Sequence, residues 1–149
     1  MPAVVVHRVV PTPVDRVWAT LTDFADYGRW VPMTRMTVDA PPTRVGWGFA
    51  ARTAVGPVGF VDSMLVTWWQ PPRPGGTARF AVRKTGRLLA GWADVVLTPR
   101  SDGGTNVVWR EEIVLRPGPL GRLAAPLVDR VVARLFGAAL GRMLAAAAR

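Results

Sequence analysis

The end of the chain narrows the fold more than any other feature. Over about 30 residues, Leu120, Leu123, Leu127, Val128, Val131, Val132, Leu135, Phe136, Ala139, Leu140, Met143 and Leu144 keep the i, i+3, i+4, i+7 spacing of one helical face, with Arg130 and Arg134 on the other. A stripe this wide has to lie on a large apolar surface. Pro126 falls inside the pattern, where it removes a backbone donor and crowds the preceding turn, so the helix is expected to kink or to divide there into a short entry piece and a longer main piece.

The surface it needs is expected from the middle of the chain. From Arg35 to Arg116 the periodicity changes to two, interrupted by the turn sequences PPTRVG, VGPVG, QPPRPGG, KTGR and RSDGG. This reads as a meander of about six antiparallel strands. In the run Val58 to Trp68, one face carries Val58, Phe60, Asp62, Met64, Val66 and Trp68, and this set is expected to face inward. Ala78, Phe80 and Val82 point inward by the same reading, leaving Arg79 and Arg83 for solvent. Val107, Trp109, Glu111, Ile113 and Leu115 share a face of the last strand. Ahead of the meander, Ala3–Val10 is β-branched and reads as a strand ending at Pro11. Thr12-Pro13 then offers an N-cap and a first-turn proline for a helix running to about Leu21, with Val14, Val17, Trp18 and Leu21 on its buried face.

A second start signal, Asp23, opens the stretch DFADYGRWVPM, which places Phe24, Tyr27 and Trp30 close together and breaks at Val31-Pro32. A core helix would continue its apolar spacing, so this segment reads as a lip beside the core.

Composition sets the outer limits. A chain of 149 residues is one domain's worth of sequence, 1–149, large enough to enclose a core. Mean hydropathy is +0.20, yet no run approaches the roughly 20 apolar residues of a membrane span. The start MPAVVVHRVVPTP lacks the charged end and long apolar segment of a secretion signal, so a soluble, cytoplasmic protein is expected. With no cysteine and one histidine, His7, thiolate chemistry is excluded and no metal site or cofactor is expected. The net charge of +9 would attract nucleic acid or anionic lipid. All but one of the 19 basic residues are arginine, however, and they are scattered singly without a nucleic-acid motif, so nucleic acid is not an expected partner.

Strand, two short helices, about six antiparallel strands and a long C-terminal helix is the element order of the helix-grip fold. The sequence resembles the START-like (SRPBCC) superfamily, in particular its bacterial polyketide cyclase/dehydrase and lipid-transport branch. The resemblance rests on PVDRVWATLTDFADYGRWVP at 13–32, RVGWGF at 44–49, VTWWQPP at 66–72 and GGTNVVWREE at 103–112. It implies an α+β, Bet v 1-like domain in which a curved sheet of about seven strands wraps the long helix. It also implies an apolar cavity between them, used across the superfamily for lipids, polyketides, hormones and other hydrophobic ligands. In that setting the loop after the short helices lies near the cavity mouth, where Trp30 either forms the rim or staples the helices to the sheet.

Phe60, Trp68, Phe80, Trp92 and Trp109 make an aromatic wall suited to a ring-bearing or acyl ligand, or simply a core. With Trp30, Met64, Glu111, Val128, Val132, Leu135 and Phe136 they form the expected ligand-binding set. Three acids, Asp62, Asp94 and Glu111, sit on strands whose alternation can bring them inside, either as general acids or as partners of neighbouring arginines. The register around Asp94 is not fixed by period alone. His7 reads as a surface or structural residue.

The leading expectation is a non-catalytic binding protein or carrier for a hydrophobic small molecule. The alternative is an aromatase/cyclase or dehydratase that holds a polyketide-like chain bent, with Glu111 and, near the mouth, Tyr27 assisting enolisation. A third is peripheral membrane association through the basic C-terminal helix. Either a monomer or a homodimer is compatible with the sequence.

Overall fold

The computed structural model describes residues 3–116, 130, 134 and 137–149. Seven strands form one antiparallel sheet: β1 (Val4–Val10), β2 (Thr34–Val38), β3 (Gly48–Val55), β4 (Val58–Gln70), β5 (Ala78–Thr85), β6 (Leu89–Pro99) and β7 (Thr105–Leu115). Their order is β1-β7-β6-β5-β4-β3-β2, a continuous meander to which the first strand is added beside the last. The sheet is curved and not closed, so β1 and β2 are its two edges.

Between β1 and β2 the chain makes helix α1 (Val14–Leu21) and a 3₁₀ helix (Phe24–Arg29). Val14, Val17, Trp18 and Leu21 are buried, the apolar face that the spacing predicts. The start lies one residue later than expected. Pro13 occupies the cap position without a side-chain cap, its carbonyl accepting from the amide of Val17 at 3.1 Å, while the carbonyl of buried Thr12 accepts the Thr105 hydroxyl at 2.7 Å. Residues 137–147 are helical and bury Ala139, Leu140, Met143, Leu144 and Ala147, and the exposed Arg130 and Arg134 agree with the expected polar side. The kink at Pro126 and the ligand-wall positions Val128, Val132, Leu135 and Phe136 lie outside the described residues.

Aromatic rings join the layers. Phe24 stacks on Phe49 with centroids 4.3 Å apart, Phe80 meets Trp18 edge-on at 5.7 Å, and Trp69 packs on Trp18 at 4.8 Å. Such offset and edge-on contacts add to area burial because the ring edge is positive and its face negative. Leu140, Met143 and Leu144 join the same core from the C-terminal helix.

Two expected wall residues are corrected here. Val66 pairs with Val82, but Trp68 pairs with Ala81, so Thr67 is an extra residue and β4 carries a bulge. Beyond the bulge the alternation reverses. Trp69, not Trp68, turns into the core, and Trp68 is 46% exposed on the outer face. In β6 the buried residues are Leu89, Ala93, Val95 and Leu97, so by alternation Trp92 and Asp94 face outward. Gly91 in the same strand has φ +127°, and a Cβ there would collide with the Glu112 carbonyl oxygen of β7, so this bend requires glycine.

Candidate functional site

Between the inner face of the sheet, the 3₁₀ segment and the C-terminal helix lies a cavity of about 220 Å³. Its walls follow from strand alternation. Phe49, Ala51 and Thr53 come from β3, Phe60, Asp62 and Met64 from β4, Phe80, Val82 and Lys84 from β5, and Trp109, Glu111 and Ile113 from β7. Phe24, Tyr27 and Val31 close one side and Ala139 another. A groove of about 540 Å³ is larger, but it lies on the outer face among Arg79, Arg83, Trp92 and Asp94 and lacks this apolar lining.

Most polar groups in the cavity wall are already engaged. The Tyr27 hydroxyl donates to the Leu21 carbonyl, and the Thr34 and Thr53 hydroxyls bond each other at 2.8 Å. What remains is one charged cluster. Lys84 Nζ donates to Asp62 Oδ2 at 2.5 Å and approaches Met64 Sδ at 3.8 Å, with side-chain exposures of 5% for Lys84 and 14% for Asp62. Asp62 Oδ1 is buried and has no hydrogen-bond partner among the described residues. Glu111 is close enough to feel both charges. Burial pushes its carboxyl above the ordinary carboxylate value, Lys84 pulls it back, Asp62 pushes it up again, and a hydrogen bond from Trp109 lowers it, with a net upward shift. Burial, with Glu111 and Asp23 nearby, likewise pushes the Tyr27 phenol up. Tyr27 is thereby a wall residue with its proton committed, a poor fit to the acid role that the sequence suggests for it.

Of the sequence-expected ligand residues, Phe60, Met64, Phe80, Trp109 and Glu111 line the cavity together, whereas Trp68 and Trp92 do not. Trp30 packs against the core as a staple, while its neighbour Val31 reaches the cavity. The Trp30 carbonyl also accepts from Arg142 Nη1 at 3.1 Å, tying the lip to the C-terminal helix. The partner expected for the cavity acids was arginine; the structure instead supplies Lys84. Sequence reasoning missed this residue although a signal was present, since it is the single lysine of the chain and continues the inward series Ala78, Phe80, Val82. Asp94 pairs on the outer face with Arg79, Nε to Oδ1 at 2.8 Å and Nη2 to Oδ2 at 3.2 Å. Exposed His7 belongs to neither site.

The whole of this arrangement matches one family model, described as polyketide cyclase / dehydrase and lipid transport, over residues 1–148. The chain belongs to that family. Solved structures agree on the fold. A Thermus thermophilus protein superposes with a TM-score of 0.71 at 19% identity, covering 97% of this chain and 99% of that one. The Zhui aromatase/cyclase from a Streptomyces species gives 0.73 at 16% identity over 97% and 92% of the two chains. A START superfamily protein from Mycobacterium smegmatis gives 0.67 at 13% identity over 96% and 97%. At these identities the likeness establishes the helix-grip architecture and leaves ligand and chemistry to the residues themselves. A comparison with curated proteins finds no match.

Proposed function

We propose that this family member binds or carries a hydrophobic small molecule, a lipid, polyketide or aromatic compound, in the cavity between sheet and helix. The observation that carries the reading is the cavity itself, an apolar, ring-walled space with a few convergent polar groups, the usual make-up of a small-molecule site. Family membership and the aromatase/cyclase and START neighbours support it. Native mass spectrometry of gently purified protein is expected to show a bound apolar species or uptake from a panel of lipids and aromatic compounds. Absence of both would end the carrier reading.

A second reading, cyclase or dehydratase activity, is favoured by one feature. Glu111 is a half-buried residue of the cavity wall whose carboxyl is raised in pKa by desolvation, suited to holding a proton for transfer. With an identified substrate, Glu111→Gln should lower turnover by about 100-fold or more if this carboxyl is the acid, with ligand binding kept. Retained turnover would eliminate it.

Peripheral membrane association is the least supported. Among the described residues no helix is long and apolar enough to cross a membrane, and the apolar face of residues 137–147 is spent on the core.

A further inference from the structure

The charged cluster in the cavity is incomplete, and what it lacks specifies a ligand group. Asp62 uses one carboxylate oxygen on Lys84 and leaves the other buried without a partner among the described residues. A buried acceptor left this way is costly, and more so for a charged group. Lys84, with three ammonium protons, has Asp62 and Met64 as its hydrogen-bond partners. An acceptor without a partner among the described residues and a cation with a proton to spare therefore sit on one ion pair, the two groups that a single bridging oxygen would join.

Charge narrows the choice of that oxygen. A ligand carboxylate would accept from Lys84 but would face Asp62 and Glu111, both lining the same space. An ammonium group would donate to Asp62 but would face Lys84. A ketone accepts and has no proton for Asp62. A hydroxyl donates and accepts through one atom and brings no charge. Size narrows the rest of the molecule. The cavity of about 220 Å³ lies between the roughly 150 Å³ apolar site that holds benzene and the roughly 300 Å³ at which drug-sized sites begin. The flanking rings of Phe49, Phe80 and Trp109 suit a flat apolar body.

We propose that Lys84 and Asp62 form a hydroxyl-reading subsite, and that the ligand is a neutral alcohol or phenol of one or two rings whose O–H donates to Asp62 Oδ1 while its oxygen accepts from Lys84 Nζ. This rests on the carrier reading and adds the ligand class to it.

Equilibrium dialysis at pH 7 with 2-naphthol, naphthalene and 2-naphthoate tests it on the full chain. The intact protein is expected to hold 2-naphthol about tenfold to a hundredfold more tightly than naphthalene, the range of a hydrogen bond to a charged group, with 2-naphthoate weakest. In the double variant Asp62→Leu with Lys84→Met, which removes both charges together and so avoids stranding either, the ratio of naphthol to naphthalene affinity should fall below about threefold. If naphthalene binds and naphthol binds no better, or if naphthoate binds best, the subsite is wrong and the carrier reading survives. If none of the three binds, the assignment of a one- or two-ring alcohol or phenol falls, and the carrier reading is decided by the native mass spectrometry and the wider panel. A naphthol preference that persists in the double variant also overturns the assignment.

Discussion

Strand β5 carries two cations that meet two different fates. Arg79 lies on the outer face, pairs with both oxygens of Asp94 in a fork, and has its guanidinium 4.8 Å from the Trp68 ring centroid. Lys84, five residues on and of opposite parity, points into the cavity and engages one oxygen of Asp62. The outer pair is saturated by protein groups and open to water at its Arg79 end. The inner pair is shielded from water yet unsaturated. A fork whose cation is solvent-exposed is a structural contact of modest worth, because solvent screens it and supplies whatever is missing. A buried, half-satisfied pair has no such reservoir, so its vacancy is chemically specific.

The sharpest way to break that contrast is to delete one acid from each pair. Asp62→Leu strands Lys84 in a low-dielectric wall and should cost about 4 kcal/mol in urea unfolding, whereas Asp94→Leu should cost about 1 kcal/mol or less. Equal costs would show that the two environments do not differ as their burial implies.

The two adjacent tryptophans extend the same test to packing. Trp69→Ala removes a ring packed among Trp18, Phe24 and Phe80 and should cost about 3 kcal/mol, while Trp68→Ala loses an exposed ring and one cation–π contact, about 1 kcal/mol. Thermal melting of the two variants decides it, and a larger loss for Trp68 would contradict the bulge.

A smaller effect belongs to Glu111. Its folded-state pKa is raised, so between the ordinary value of 4.5 and the folded value the native protein binds more protons than the unfolded chain. Stability is therefore expected to fall as pH rises through that window, and Glu111→Gln should flatten this part of the profile. Lys84 keeps Asp62 as its partner in the variant, so no stranded charge is created. An unchanged pH profile would place the titration elsewhere.

The smallest expected signal is membrane binding. Full-length protein should associate weakly with anionic vesicles and be released by salt, since scattered arginines act through screened charge. Salt-resistant insertion would transfer the apolar helix from the sheet to the bilayer.

The fold was legible because its two periodicities are long. Six strands of alternation and the stripe through Leu140 and Leu144 each repeat often enough to survive local irregularity. The candidate site was half legible. Phe60, Met64, Phe80, Trp109 and Glu111 line the cavity because their strands keep phase up to those positions. Trp68 was misplaced because a bulge leaves no mark in composition, Thr67 being an ordinary strand residue. Trp92 reads as a wall residue by its size alone, because period leaves the register of its strand open, and the structure gives the inner face to the smaller Ala93 and Val95. Lys84 was overlooked for the converse reason, that a cation reads as solvent-facing even in an inward series.

The bulge at Thr67 makes β4 a strand with two phases joined at one point. Removing Thr67 would leave the pairs Val66-Val82, Trp68-Ala81 and Trp69-Phe80 as one regular ladder with both rings on their present faces, whereas pairing Thr67 into the ladder would exchange the Arg79-stacking ring for the core ring. What holds each ring on its face is that Thr67 stays outside the ladder, whatever side chain it carries.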